Sequence, residues 1–220
     1  MLNDLWPLAN LSLETPRLTL REPDEQELAA LAAVAARGIH RPEDRPFLTP
    51  WTSQPPEARA RFVLQSFWTA RGQWAPEAWR LSLGVFREGQ ALGMVGMRAH
   101  DFRTLREVTT TSWLGLEHQG QGYGTEARTA LLALAFDHLR AESALTVVFQ
   151  DNAGSQGVSR KLGYRPDGIQ RDVLEDRVVI SDRLRLTRDA WAQESRAPVR
   201  IRGLEGCLPF FEGEASTETG

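Results

Sequence analysis

Between residues 108 and 139 the chain passes from a stretch rich in β-branched residues, through glycines at 120, 122 and 124, into a long apolar face. No other part of the sequence narrows the possible folds as far. Val108 to Leu116 reads as a strand. Beyond the glycines, Ala127, Leu131, Leu134 and Ala135 recur at helical spacing, and Leu132, Phe136 and Leu139 widen that face. This predicts a largely buried helix over Thr125 to Leu139. Glycines between a strand and a helix let the backbone turn tightly and leave it open to a close ligand. The first turn of a helix has no internal acceptors for its amides. That end carries roughly half a positive charge, so it suits a phosphate or diphosphate.

Spacing decides which phosphate site is meant. A dinucleotide fingerprint needs glycine at its first, third and sixth positions, but the sixth residue from Gly120 is Thr125 and from Gly122 it is Ala127. A Walker loop needs Gly-Lys-Ser/Thr, and no lysine stands here. Gln119-x-x-Gly122-x-Gly124 instead matches the Gln/Arg-x-x-Gly-x-Gly/Ala loop that binds the diphosphate of acetyl-CoA in the GNAT N-acyltransferases. Downstream come Asn152-Ala153-Gly154-Ser155, then Val158-Ser159-Arg160-Lys161-Leu162-Gly163-Tyr164, and Gly168. These resemble the Asn-x-x-Ser … Lys-Leu-Gly-Phe segment of the ribosomal-protein-alanine (RimJ/RimL-type) branch. Glu14 to Arg21 resembles the first strand of that branch and Leu186 to Trp191 its last. The resemblance runs from about residue 13 to 192, in the family's order.

The resemblance implies an α/β (α+β) fold. One GNAT-type domain over residues 1–196 would hold a central mixed, mostly antiparallel twisted sheet flanked by helices, with its central strands splayed. It implies an enzyme that moves an acetyl group from acetyl-CoA to a primary amine, directly in a ternary complex and without a metal. The acceptor would be a protein or peptide α-amine or a small-molecule amine. The diphosphate would rest on Gln119, Gly120, Gln121, Gly122, Tyr123, Gly124 and Thr125. Pantetheine would pair like an added strand near Leu114 and Leu116, and Asn152 and Ser155 would contact the arm of CoA. Asn152 could equally cap the following helix. Family habit suggests a homodimer.

Many superfamily members donate a proton to the leaving thiolate from a tyrosine before Lys-Leu-Gly; Ser159 stands there in this chain. Ser155 is the first candidate donor and Ser159 the second. A hydroxyl is no strong acid, but such donors are commonly worth about two to three orders of magnitude in rate. Both serines could instead pack or cap their helix. Where the branch carries a glutamate on the strand before the loop, Thr109 stands; Glu107 shares its face and could hold a base water. A solvated strand-end acid is the other reading, and His100, His118 and Asp101 are weaker candidates. An amine of pKa about 10.4 is neutral in about one molecule in 2,500 at pH 7, a handicap of about 4.6 kcal/mol, against about 1 kcal/mol for an α-amine. A weak base therefore favours a low-pKa amine. Five tryptophans (Trp51, Trp68, Trp74, Trp79 and Trp113) cluster between residues 51 and 113. Trp51 and Trp113 are expected to line the acceptor pocket, and the spacing of Trp68 and Trp79 is that of buried faces.

The net charge of -3 argues against a nucleic-acid partner. The absence of a long apolar run argues against a membrane, and the lone Cys207 fits a reducing cytoplasm. Along the rest of the chain, Asp24 and Glu27 predict a capping box opening a helix that Gly38 ends. Pro55-Pro56-Glu57 opens a second helix. Trp79 to Phe86 and Ala91 to Arg98 form a hairpin about Glu88-Gly89, and Val173 to Leu186 a second about Glu175-Asp176. Residues 197–220 lie beyond the family pattern, as a tail docked on the body or on a second subunit, with Glu212 to Gly220 reading as disordered. Two other functions fit the sequence: a non-catalytic acyl-CoA-binding sensor or partner module, and a nucleotide-binding protein that shares the glycine loop.

Overall fold

A computed structural model describes residues 2–41, 44 and 46–212. After a short helical turn, α1 (Leu2–Leu5), the chain lays down β1 (Ser12–Glu14) and β2 (Thr19–Arg21) as an antiparallel pair. Helix α2 (Glu25–Arg37) opens on the predicted capping box: Asp24 accepts from the Glu27 amide, and Glu27 accepts from that of Asp24. Its apolar stripe, Leu28, Leu31, Ala32 and Ala35, is buried. Helix α3 (Pro56–Gly72) buries Val63, Phe67 and Ala70. Trp68 departs from expectation, for it is 55% exposed; the inward stripe runs through Phe67 and turns Trp68 to solvent.

β3 (Ala78–Arg87) and β4 (Gln90–His100) form the predicted hairpin, and Trp79, Leu81, Leu83 and Val85 are all buried. The short helix α4 (Phe102–Leu105) leads into β5 (Glu107–Leu114). Leu116, expected on that strand, lies instead in a tight turn, because its amide donates to the Gly38 carbonyl (3.0 Å) and bends the chain off the sheet. Helix α5 (Tyr123–Ala133) follows and continues as a π-helical turn over Leu134–His138. Then come β6 (Ser143–Phe149), α6 (Ala153–Lys161), β7 (Arg165–Leu174) and β8 (Arg177–Thr187). The β7–β8 turn falls on Glu175 and Asp176, both at positive φ.

Among the described residues the sheet has nine strands in the order β7-β8-β6-β5-β4-β3-β2-β1-β9, where β9 is Arg200–Arg202. Every pairing is antiparallel except β5 with β6, the two strands joined through α5. That parallel pairing covers only Glu107 to Thr109 against Ser143 to Leu145. Beyond it the strands part: β5 runs on to Leu114 beside β4, and β6 to Phe149 beside β8. The middle of the sheet is therefore a fork. The main core, which contains Leu131, Leu134, Val108 and Leu186, lies on the α5 side, and a second core fills the space beneath α2 and α3 on the other side.

The C-terminal stretch adds α7 (Arg188–Ala192), β9 (Arg200–Arg202), which pairs with β1, and α8 (Leu208–Glu212). Phe211 is fully buried. The indole N–H groups of Trp74 and Trp79 donate to the carbonyls of Phe210 (3.0 Å) and Phe211 (3.1 Å). Glu212 ends α8 and pairs with Arg106; the remainder of the segment expected to be disordered, 213–220, lies outside the described residues.

Candidate active site

The loop from β5 to α5 is shaped for an anion. Gly120 and Gly122 hold φ of +74° and +84°, a region that costs other residues about 1–2 kcal/mol. Among the described residues, no backbone acceptor engages the amides of Gly120, Gln121, Gly122, Tyr123, Gly124 or Thr125. The first inter-turn bond of the helix is that of Glu126 to Gly122 O (3.1 Å). Six consecutive amides are thus free beside the positive end of α5.

The side chains of this loop brace it. Gln119 Nε2 donates to the carbonyls of Ile39 (2.7 Å) and Leu114 (2.9 Å), tying the loop to the end of α2 and the end of β5. The Tyr123 ring is buried; Arg17 stacks on it at 4.7 Å and Arg87 bonds its hydroxyl. Arg17 also donates to Gln121 O (3.1 Å) and to Glu126 (2.6 Å), and Thr15 donates to Glu126 (2.6 Å). Sequence reasoning missed Arg17 and Arg87, because their contacts join residues about 100 and 36 positions apart.

The fork opens beside this loop. Strand alternation turns the backbone groups of Thr110, Ser112 and Leu114 away from β4 and into the gap. Thr110 O accepts from Thr146 Oγ1 (3.5 Å) at the point where the strands part. The Leu114 carbonyl is held by Gln119, while Leu116 has both its amide and its carbonyl engaged, by Gly38 and Gln119. An extended ligand would therefore find its partners at Ser112 and Leu114, and Leu116 could offer only its exposed side chain.

On the α5 side of the fork stands α6. Asn152 caps it by accepting from the Ser155 amide (3.0 Å). Ser155 and Ser159 are one turn apart and share a face. Ser155 is half-buried, and its hydroxyl has no partner among the described residues. Ser159 is fully buried. Facing Ser159 is Arg128, also absent from the sequence-based candidates: the residue is 2% exposed, and its guanidinium donates to Thr110 Oγ1 (3.0 Å) and Ser159 Oγ (3.4 Å).

On the other face, Glu107, Thr109, Thr111 and Trp113 point the same way along β5. Glu107 and Thr109 line a cavity of about 490 Å³ together with Gln73, Trp79, Arg80, Arg98 and His100. Glu107 Oε2 is anchored by Arg185 and by Ser143 Oγ (2.7 Å), while Oε1 has no partner among the described residues. Arg185 joins Glu107 to Asp167 (3.2 Å). Burial alone would lower the pKa of Arg185, but its bonds to Asp167 and Glu107 outweigh this and hold it above the usual value. Thr109 offers no acid–base chemistry of its own. Trp51 is 7% exposed, stacked on Phe62 (4.7 Å) and edge-on to Trp113 (6.1 Å). The structure does not bring this pair to Glu107: Trp113 lies four residues from Thr109, roughly 13 Å along the strand. His118 is buried in the turn, and His100 and Asp101 are exposed. A larger cavity, about 650 Å³, lies between α5 and the residues after β8 and holds none of the candidates. Among the described residues, no cluster of His, Cys, Asp or Glu could hold a metal ion, and no helix is long and apolar enough to cross a membrane.

A family model for the acetyltransferase (GNAT) domain matches residues 17–165. Among solved structures, the RimL ribosomal L7/L12 alpha-N-protein acetyltransferase in complex with coenzyme A is 17% identical over 80% of this chain and 97% of its own, with a TM-score of 0.65. Mycobacterium smegmatis RimJ in complex with CoA-disulfide is 15% identical over 92% of this chain and 95% of its own, also at 0.65. A GCN5-related N-acetyltransferase from Brucella melitensis is 20% identical over 82% and 80%, at 0.64. At such identities these likenesses speak to the fold.

Proposed function

The chain belongs to the GNAT acetyltransferase family, and from that premise we propose that it transfers the acetyl group of acetyl-CoA directly to a primary amine within a ternary complex. The observation that carries this reading is the run of unengaged amides from Gly120 to Thr125, which opens onto the gap between β5 and β6. The amides would hold the diphosphate, with Arg87 adding positive charge beside it, while Arg17, paired with Glu126, braces the loop. Ser112 and Leu114 would pair with the pantetheine arm. Acetyl-CoA supplies an acyl group already activated as a thioester; the rest of the chemistry falls to the protein.

An amine must lose a proton to attack. The free Oε1 of Glu107 is suited to hold the water that takes it, since Arg185 and Ser143 fix the carboxylate through its other oxygen. Any carboxylate is a far weaker base than an amine, which favours an acceptor of low pKa. An α-amine, as on a peptide N-terminus, fits better than a lysine side chain. The names of the RimL and RimJ neighbours point the same way. The acceptor would approach over Glu107, Thr109 and Thr111, with Trp113, backed by Trp51, at the far end of that row. Ser155, at the mouth of the fork with its hydroxyl free, would donate a hydrogen bond to the developing thiolate. The exposed apolar residues of the β7–β8 hairpin (Ile169, Val173, Val178 and Ile180) favour a homodimer, and the buried thiol of Cys207 suits a cytoplasmic setting.

A CoA-release assay over α-amino peptides, amino sugars, polyamines and arylamines tests the proposal. Turnover is expected with an α-amino peptide and should vanish when its N-terminus is blocked. Acetyl-CoA binding without CoA release on any amine would overturn the catalytic reading.

A further inference from the structure

Arg128 lies inside the protein, and among the described residues no carboxylate pairs with it. The residue is 2% exposed, yet among the described residues its partners are two neutral hydroxyls, Thr110 Oγ1 and Ser159 Oγ, and the Tyr164 ring 5.2 Å away. Its Nε is buried with no hydrogen-bond partner among the described residues. Burying a guanidinium is costly, and dipoles from neutral groups offset only part of that cost. Buried polar groups are nearly always satisfied, so an orphaned donor on a buried cation calls for an explanation. The Tyr164 ring lies against it, and the Tyr164 hydroxyl lies against Thr110 Oγ1 (3.1 Å). Glu126, the nearest acid on the same helix, is occupied by Arg17 and Thr15.

The position of this cation shows what would complete it. Thr110 is the first residue of β5 beyond the parallel pairing with β6, so Arg128 sits directly behind the crotch of the fork. It is six residues along α5 from Gly122, roughly 9 Å down the axis from the free amides. It also touches Ser159, on the helix face that carries Ser155 one turn nearer the mouth. We propose that Arg128 is the cationic counterpart of the CoA thiolate. Acting through Ser159 Oγ, it would make the apex of the fork a site that prefers sulfur in its charged form. The inference rests on the acetyl-CoA reading above. Acetyl transfer forms the amide C–N bond, breaks the thioester C–S bond with the electron pair left on sulfur, and releases one amine proton to the base side. Arg128 holds the charge on sulfur, and its guanidinium loses no proton. It is thus a positioning residue: Ser159 accepts from the guanidinium and is left with its own O–H free to donate toward sulfur.

The test is calorimetric titration of free CoA and of acetyl-CoA, which has no ionisable thiol, between pH 6.5 and 9.5. If the site lowers the coenzyme's thiol pKa by one unit, CoA gains up to about tenfold in affinity as the pH rises through that range, relative to acetyl-CoA. Arg128→Met should remove that pH dependence and leave acetyl-CoA affinity within about twofold. Arg128→Lys should keep part of it, and Ser159→Ala should weaken it. The thiolate's ultraviolet absorbance in the complex gives a second readout. A wild-type CoA affinity with no pH dependence beyond that of acetyl-CoA overturns the proposal, and this measurement needs no variant to fold. So does an Arg128→Met protein whose pH dependence matches the wild type. If Arg128→Met instead discriminates only against an acyl-CoA ending in a carboxylate, such as succinyl-CoA, the cation serves the acyl group and the thiolate assignment is wrong. Failure of the wild type to bind acetyl-CoA at all would instead condemn the acetyltransferase reading itself.

Discussion

Replacing Gln119 with alanine separates two roles for the residue that heads the glycine loop. As a ligand contact it would matter only when coenzyme is bound. As a strut it holds the loop before anything arrives. Its amide makes two bonds, to Ile39 O (2.7 Å) and Leu114 O (2.9 Å), which, beside the Leu116 amide on Gly38 O (3.0 Å), tie the loop to the end of α2 and the end of β5. At about 0.5–1.5 kcal/mol each, their loss removes about 1–3 kcal/mol of loop order. Because the free amides bind only when aligned, that order must be restored on binding. Acetyl-CoA affinity should therefore fall about 5- to 150-fold. Gln119→Glu should be worse than alanine, for it sets a carboxylate against two carbonyl oxygens. Titration calorimetry gives the affinities, and hydrogen exchange in the free protein should show faster exchange over residues 115–122 in both variants. Wild-type affinity together with unchanged exchange in Gln119→Ala would refute the strut.

Other consequences follow from the same geometry. Glu107→Gln should lower kcat by about a hundredfold while leaving acetyl-CoA affinity unchanged, as expected of a group on the acceptor side of the fork; an unchanged kcat in steady-state assays would remove it as the base. Phe211→Ala, in a side chain with no exposure packed on Trp74 and Trp79, should cost about 3–5 kcal/mol in denaturant unfolding, although it lies in a tail beyond the domain pattern. Burial pushes the Cys207 thiol up to about 11, so below that pH it stays protonated and sealed. A thiol-specific reagent at pH 8 should react with it only as fast as the protein unfolds, and rapidly once denaturant is added; prompt labelling of the native protein would contradict the tail packing.

What the sequence conveyed depends on how local each signal was. The capping box at Asp24 and Glu27, the alternation of Trp79 to Val85 and the glycine loop are written in residues a few positions apart, and the structure contains all three. Sites assembled from distant segments left no such trace. Arg128 reads in sequence as one polar residue on a mostly apolar helix; only the approach of β5 and α6 shows that it is buried against neutral hydroxyls. Leu116 was misplaced because its strand-like character yields to one bond from Gly38, a residue 78 positions earlier. The bracing by Arg17 and Arg87 was hidden in the same way. Trp68 kept helical spacing with its neighbours and still faces solvent, since spacing sets which residues share a stripe but not how wide the buried stripe is.

The central claim is that six unengaged amides at the start of α5 grip the diphosphate of acetyl-CoA. Isothermal titration of the purified protein with acetyl-CoA tests it most directly, with Gly122→Ala as the partner experiment. Gly122 sits at φ +84°, and an added Cβ would lie 3.3 Å from Arg17. One-to-one binding by the wild-type chain is expected, with a loss of about tenfold or more in the variant, beyond the few degrees of melting temperature that a strained φ of about 1–2 kcal/mol removes. No heat of binding from a wild-type protein shown to be free of bound coenzyme would contradict it.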